Sequence, residues 1–156
     1  MIRWPADKSD GLGSTSRITQ LKTCDVNTTR GPITSINVTN ENSVRDYFST
    51  AMTDCTIDIP DIRKSRTLIF LGGTAGLRIR NLTDPDYVTT LLQQTRAYFG
   101  TLGLLFRSPE NQVRIIDGSE EGLSGWITTN ILTGELFENN QPLQTYGVFD
   151  MGGMII

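Results

Sequence analysis

The chain has 156 residues, which is enough to bury a hydrophobic core as one domain or as one lobe of a larger protein. Its net charge of -3 offers no basic surface for nucleic acid, so no nucleic-acid partner is predicted. The lack of histidine excludes Ser-His-Asp and Cys-His catalysis and the usual zinc sites. Any general base is therefore a carboxylate, or less commonly a lysine or a tyrosine.

Signals for cellular location disagree with one another. No apolar run approaches about 18 residues, and residues 1–5 lack the apolar region of a signal peptide, which favours a cytosolic chain. In contrast, Asn27, Asn37 and Asn81 each begin an Asn-X-Thr triplet, the form of a glycosylation acceptor in secreted proteins.

The two cysteines, Cys24 and Cys55, are the right number for one disulfide. A bridge between them would close a loop of roughly 30 residues and contribute about 3 to 4 kcal/mol by the chain-entropy relation. The residues alone leave two alternatives open, this bridge or two reduced, partly buried thiols.

Short strands and loops are predicted at the start of the chain. Residues 1–4 have the pattern of a strand end, and residues 17–22 alternate polar and apolar side chains as a short strand does. Residues 7–16, rich in Gly, Ser and Asp, predict a turn or hairpin loop. Residues 25–42, rich in Asn, Thr, Gly and Pro, predict a surface loop.

The clearest predicted helix begins after this loop. Ser43 is its predicted N-cap, Asp46 follows three residues later, and Pro60 stops it. Its apolar side chains recur at the spacing of one helical face, which predicts a core contact: Val44, Tyr47, Phe48, Ala51, Met52 and Cys55.

A glycine-rich stretch over residues 68–78 is the centre of the functional prediction. A strand at residues 67–71 leads into three glycines within five residues and then towards a helix. Such a turn can offer backbone N–H groups and the Thr74 hydroxyl to a phosphate, or it can be an ordinary tight turn. It has neither the P-loop Lys-Ser/Thr nor the dinucleotide glycine spacing.

Further helices and strands alternate along the rest of the chain. Asp84 and Pro85 open a helix that ends at Gly100, with one apolar side made of Val88, Leu91, Leu92, Tyr98 and Phe99. A strand at residues 113–116 leads through a polar turn at 117–122 to a helix whose apolar face contains Leu123, Trp126, Ile127 and Ile131. Glu120 is predicted to complement the dipole of this helix.

A third strand is predicted at residues 145–149, directly before Asp150 and two glycines. The alternation of strands and helices predicts an α/β layered domain. In parallel sheets the ligand lies beyond the carboxyl ends of the strands. If the three strands share one sheet and run in parallel, Thr74, Glu121 and Asp150 converge on one cleft.

Three stretches resemble apyrase conserved regions two, three and four, in order and at the expected spacing. They are residues 71–78 (Leu-Gly-Gly-Thr-Ala-Gly-Leu-Arg), 118–130 (Gly-Ser-Glu-Glu-Gly-Leu-Ser-Gly-Trp-Ile-Thr-Thr-Asn) and 149–153 (Phe-Asp-Met-Gly-Gly). The Arg-Trp-Pro of residues 3–5 and the two cysteines also fit. The chain therefore resembles the ecto-nucleoside triphosphate diphosphohydrolases, or apyrases.

The resemblance implies a fold and an activity. The fold is a ribonuclease H-like lobe of the actin, Hsp70 and sugar kinase type, with residues 1–156 as a partial first lobe, incomplete at both ends. The activity is hydrolysis of terminal phosphates of ATP and ADP with Ca or Mg, by a parent enzyme that is membrane-anchored or secreted, at the cell surface or in the secretory pathway. It also implies that Cys24 and Cys55 are bridged.

The resemblance also assigns roles to individual residues. Thr74 and the backbone at Ala75 hold the terminal phosphate, and Glu121 takes a proton from the attacking water. Asp150 holds the metal through its water shell, and Gly152 and Gly153 let the backbone approach phosphate.

Some family features have no counterpart in these residues. The first conserved region is expected before Met1, and Met154 and Ile155 stand where the family has a small residue and a water-orienting serine. These departures predict that the chain alone is inactive or nearly so. One alternative is a nucleotide- or partner-binding glycoprotein without catalysis, and a weaker one is a kinase or polyphosphatase of the same superfamily.

Overall fold

A computed structural model describes residues 2–3, 19–20, 30–133, 136 and 145–149. The chain divides into two compact units. The first unit consists of Met1–Thr23 and Gly118–Gly152, and the second unit consists of Cys24–Asp117 and Gly153–Ile156.

In the parts of the first unit that the structure describes, there are two short strands and one long helix. Strand β1 (Ile2–Arg3) pairs antiparallel with β2 (Thr19–Gln20), with Ile2 opposite Gln20. Both strands fall inside the segments predicted as strands, whereas the loop predicted at 7–16 lies outside the described residues. Helix α6 runs over Gly118–Thr133.

The second unit contains five helices and a parallel pair of strands among its described residues. The helices are α1 (Ser43–Thr56), α2 (Asp61–Lys64), α3 (Ala75–Thr83), α4 (Pro85–Gly100) and α5 (Pro109–Gln112). The strands are β3 (Leu71–Gly73) and β4 (Val113–Ile115). Helices packed beside a parallel pair make this unit α/β, as the alternation of elements predicted.

Helices α1 and α4 supply most of the second unit's core. The ring centroids of Phe48 and Phe99 lie 5.6 Å apart in an edge-on arrangement that suits the charge distribution of aromatic rings. The buried cluster contains one side chain from the loop before α1, one from α3, one from β4 and several from α1 and α4: Ile36, Val44, Phe48, Leu77, Val88, Leu91, Phe99 and Val113. The helical spacing of apolar residues therefore identified both core helices correctly.

The ends of these helices agree with the prediction in part. Asp84 caps α4 by accepting a hydrogen bond from the backbone N–H of Tyr87 at 3.2 Å, and the helix ends at Gly100 as predicted. The prediction of Ser43 as N-cap of α1 is wrong, because Ser43 is already helical and follows Asn42. Helix α1 ends at Thr56, one turn before Pro60.

The segment before α1 is a loop over its described residues, 30–42, as predicted. It contains a 3-10 turn at Ile33–Ser35, which is followed by the buried side chain of Ile36. The composition of this loop gave no sign that one of its residues joins the core.

The strand predicted at residues 67–71 is displaced towards the carboxyl end. Strand β3 begins at Leu71 and includes Gly72 and Gly73, while Leu68 makes only an isolated parallel bridge to Leu105. The two glycines predicted to form a turn are therefore paired with β4. This pairing involves residues about 40 positions apart, which local composition does not reveal.

Candidate functional site

The parallel pairing of β3 with β4 brings the carboxyl ends of two predicted strands, at Gly73 and Ile115, to one edge of the sheet. Gly73 lies opposite Ile115, and the next residue, Ile116, donates its backbone N–H to the Gly73 carbonyl at 2.9 Å. The carboxyl ends of the two strands are thus side by side, which is where parallel sheets bind ligands. The condition for convergence, that the strands share a sheet and run in parallel, is met by these two strands.

Thr74 lies at this edge, directly after β3, as the N-cap of α3. It is exposed, and its hydroxyl makes no capping hydrogen bond to the helix. Ala75, half-buried, begins the helix, whose first N–H groups have no partner within the helix. A helix start with these donors suits an oxyanion such as a phosphate oxygen.

Close packing accounts for Gly73. A Cβ atom at this position would lie 2.5 Å from Cδ1 of Leu77, which is buried on the first turn of α3. At Gly72 a Cβ would lie 3.2 Å from Cδ1 of Ile116, which is also tighter than ordinary contact. Gly76 is different, because its nearest neighbour would be 3.9 Å away. An alanine at position 73 would therefore force Leu77 to shift, whereas one at position 76 would meet only ordinary contact.

Arg78 adds a cation at the same edge. Its Nη1 donates to the carbonyl oxygen of Ile116 at 2.8 Å, and the side chain is half-buried. Both backbone groups of Ile116 are thus held, one by Gly73 and the other by Arg78. Sequence analysis included Arg78 in a motif without giving it a role.

Glu121, the predicted general base, lies in the first turn of α6 in the first unit. The polar turn predicted at residues 117–122 is wrong for its last five residues, which already belong to the helix. Glu120 and Glu121 are the acidic residues of that first turn and both are half-buried. Their charges complement the positive end of the helix dipole, as predicted for Glu120.

The side chain of Asn130 holds residues 145–149 against α6. Its Oδ1 accepts from the backbone N–H of Tyr146 at 2.8 Å, and its Nδ2 donates to the Tyr146 carbonyl at 3.1 Å. The strand predicted at 145–149 is wrong, because these residues form no regular secondary structure. The backbone of Tyr146 pairs with a side chain instead of a neighbouring strand.

The apolar face predicted on α6 is buried only in part. Leu123 and Ile127 are exposed, and Trp126 and Ile131 are half-buried. The buried residue of α6 is Asn130. A signal for it existed in the sequence, because Asn130 stands seven residues after Leu123 and thus interrupts an apolar stripe with an amide.

Several predicted site residues lie outside the described residues: Asp150, Gly152, Gly153, Cys24 and Asn27. Thr74 and Glu121 belong to different units, so the convergence of Thr74, Glu121 and Asp150 stays a prediction.

The remaining predicted residues lie in the second unit. Cys55 is half-buried on α1, and Asn81 is exposed on α3. Asn37 is exposed before α1, where its Oδ1 accepts from the backbone N–H and the hydroxyl of Thr39 at 3.1 and 2.7 Å.

Two depressions on the second unit, of about 290 and 410 Å³, contain none of the predicted site residues. Across the described parts of the chain, no three side chains of the His, Cys, Asp and Glu types form a group able to hold a metal ion. The longest helices in those parts, α4 and α6, have 16 residues each, and none is long and apolar enough to span a bilayer.

Comparison with known proteins identifies the family. The model of the GDA1/CD39 (nucleoside phosphatase) family matches residues 1–155. The chain is 30% identical over 163 residues to ectonucleoside triphosphate diphosphohydrolase 1 of Bos taurus, covering 98% of this chain and 30% of the relative. It is 31% identical to the human ectonucleoside triphosphate diphosphohydrolases 3 and 2, covering 98% of this chain in both cases and 28% and 30% of those proteins.

The chain therefore spans less than a third of the length of these relatives. The resemblance of its three motifs to apyrases is confirmed by a match that extends over nearly all of its residues. The chain belongs to the GDA1/CD39 (nucleoside phosphatase) family.

Proposed function

We propose that the protein to which these residues belong hydrolyses the terminal phosphates of nucleoside tri- and diphosphates, with Glu121 as general base and Ca or Mg as cofactor. The observation that carries the proposal is the shared edge of β3 and β4, from which the Thr74 turn and the chain segment leading to Glu121 both depart. The relatives, which are named as nucleoside triphosphate diphosphohydrolases, support nucleoside tri- and diphosphates as substrates.

In this proposal the two ends of the site have different tasks. Thr74 and the backbone N–H of Ala75 hold the terminal phosphate at the start of α3, where the helix dipole favours negative charge. Glu121 orients the attacking water and accepts its proton. Asp150 holds the cation through water, and Gly152 and Gly153 let the backbone approach the phosphate.

One carboxylate with water and phosphate oxygens is a donor set that fits Mg or Ca, because both ions prefer oxygen ligands and Mg keeps several waters. When bound, the cation supplies positive charge to the phosphate oxygens. Such charge is needed because the chain itself is acidic, with a net charge of -3.

The proposed fold is the first lobe of an actin, Hsp70 and sugar kinase type enzyme, with ribonuclease H-like architecture over residues 1–156. The parallel pair β3 and β4 with flanking helices supports it. We further propose a parent protein at the cell surface or in the secretory pathway, with glycans at Asn27, Asn37 and Asn81. Exposure of Asn37 and Asn81 makes both accessible to this modification.

A disulfide between Cys24 and Cys55 is part of the same proposal. The sequence contains two cysteines, and the described residues include no free cysteine, which supports this pairing. An oxidised pair of this kind is typical of secreted proteins. Mass spectrometry of the unreduced, proteolysed chain tests the pairing, and a free thiol at either position would contradict it.

The activity is tested by phosphate release from ATP and ADP with Ca, with Mg and with a chelator. Changing Glu121→Gln is expected to lower kcat by about 10²- to 10⁴-fold, the usual contribution of a general base. Glu120→Gln is the matched control, because it removes the same charge from the same helical turn. Equal losses in the two variants would remove Glu121 from the mechanism.

A second candidate, nucleotide binding without hydrolysis, is favoured by Met154 and Ile155 where the family has a small residue and a water-orienting serine. Under this candidate a folded chain binds ATP in calorimetry and releases no phosphate. We expect the 156-residue chain alone to have little or no activity, so the Glu121 comparison is also made in the longer protein that contains it.

A further inference from the structure

Asn130 is a fully buried polar residue that links two parts of the first unit. Its side chain is 0% exposed, and both of its polar atoms are hydrogen-bonded. Nδ2 donates to the Trp126 carbonyl at 2.8 Å and to the Tyr146 carbonyl at 3.1 Å, while Oδ1 accepts from the Tyr146 N–H at 2.8 Å. The amide thus exchanges two bonds with one backbone residue, as a neighbouring antiparallel strand does.

A second contact gives the direction of residues 145–149 along α6. A Cβ atom built at Gly125 would lie 3.9 Å from Cγ1 of Val148. From Tyr146 to Val148 the segment advances two residues, about 6.6 Å if extended. From Asn130 back to Gly125 the helix retreats five residues, about 7.5 Å. The segment therefore runs antiparallel to α6, towards the first turn that carries Glu121.

We propose that Asn130 is a positioning residue that fixes the register of residues 145–149 along α6. Phe149, the last described residue of this segment, is thereby held at a set position along α6 relative to Glu121, and Asp150 is the next residue in the sequence. A slip of one residue would move the chain by about 3.3 Å and reverse the direction of its side chains. The hydrogen bonds between Asn130 and Tyr146 are called the tether below. The functional part of this inference rests on the proposed hydrolysis, whereas the tether does not.

The environment of Tyr146 indicates that Asn130 affects the position of residues 145–149 more than the stability of α6. Tyr146 is 55% exposed, so we expect water to reach its backbone N–H and C=O when the Asn130 amide is removed. Loss of the amide is therefore expected to release the segment while α6 remains folded. Asn130→Ala removes both partners of Tyr146, and Asn130→Asp conserves the shape and the acceptor but removes the donor.

Hydrogen exchange of the Tyr146 amide measures the tether without reference to catalysis. We expect Asn130→Ala to speed exchange over residues 145–149 by about tenfold, which corresponds to the loss of one or two hydrogen bonds. Asn130→Asp is expected to give an increase at least as large, because an ionised carboxylate in this buried position would face the carbonyls of Trp126 and Tyr146. Thr133→Ala is the matched control, because the Thr133 hydroxyl bonds only to carbonyls of its own helix, at Thr129 and Asn130. Equal exchange in the wild type and in Asn130→Ala would overturn the tether.

Metal-dependent phosphate release measures the consequence for the site, in the longest form of the protein that hydrolyses ATP. We expect Asn130→Ala to raise the Mg concentration for half-maximal activity by about tenfold, which corresponds to the loss of one or two hydrogen bonds to Tyr146. The KM for ATP at saturating Mg is expected to stay nearly unchanged. Leu91→Val, a core change in the second unit, controls for destabilisation and is expected to leave the Mg midpoint in place.

Each remaining outcome decides one claim. An unchanged Mg midpoint in Asn130→Ala, or an equal shift in Leu91→Val or Thr133→Ala, would overturn the positioning role. A wild type that is folded but releases no phosphate in any form would overturn the proposed function, and hydrogen exchange would still decide the tether.

Discussion

Replacing Gly73 with alanine is the sharpest test of how β3 and α3 fit together. The added Cβ would lie 2.5 Å from Cδ1 and 3.3 Å from Cβ of Leu77. Leu77 is 2% exposed and belongs to the core cluster, so its side chain has little free space into which it can rotate. Overpacking of this kind is expected to destabilise the second unit by about 1 to 3 kcal/mol.

The loss of stability in Gly73→Ala is measured by urea unfolding, which is followed by far-UV circular dichroism. Both tryptophans of the chain, Trp4 and Trp126, belong to the first unit, so their fluorescence does not report directly on Gly73. Helices α1, α3 and α4 all belong to the second unit and dominate its helical signal. A lower midpoint with an unchanged slope identifies a change in stability.

Gly76→Ala is the control within the same motif. Gly76 lies inside α3 and its Cβ would meet only ordinary contact at 3.9 Å, so alanine is expected to add about 0.5 to 1 kcal/mol of stability. In a Leu77→Ala background the cost of Gly73→Ala should largely disappear, because the clashing atom is gone. Equal stability of the Gly73→Ala and wild-type proteins would refute the packing explanation of this glycine.

Three further predictions follow from other contacts of the second unit. Asp84→Ala should cost about 1 kcal/mol in thermal unfolding, because the N-cap bond to the Tyr87 N–H is lost, and Asp84→Asn should retain most of it. Gln112→Leu should cost about 3 kcal/mol or more, because the 4%-exposed amide bonds to four backbone groups, and a loss below about 1 kcal/mol would contradict this. Burial raises the pKa of Tyr47, Tyr87 and Tyr98, so the folded state holds these protons more tightly than the unfolded state. The stabilisation that comes from this tighter proton binding is present below about pH 10 and is lost as the pH rises through the pKa values of the folded state. A constant urea midpoint from about pH 9 to 11 would contradict it.

Local patterns predicted the elements that depend on local spacing. The apolar stripes of α1 and α4 and the Asp84-Pro85 start of α4 require only neighbouring residues, and all three are present. Strand β4 was predicted for the same reason, from a short apolar run before a polar turn.

Elements that depend on distant partners were misplaced. Strand β3 extends through Gly72 and Gly73 because β4 pairs with them, and residues 145–149 form no strand because the Asn130 amide takes the partner's place. Both outcomes follow from contacts between residues far apart in sequence. At the candidate site, the sequence motifs predicted roles for Thr74 and Glu121 that stay predictions, while the bond from Arg78 to Ile116 required the structure.

The measurement that tests the account most directly compares kcat for ATP hydrolysis in Glu121→Gln and Glu120→Gln, at saturating Mg, in the form of the protein that is active. The two variants lose the same charge in the same turn of α6, so a structural or dipole effect would act on both. The account predicts that kcat falls by about 10²-fold or more in Glu121→Gln, while kcat in Glu120→Gln stays within about threefold of the wild-type value. Similar rates in the two variants would contradict the assignment of Glu121 as the general base.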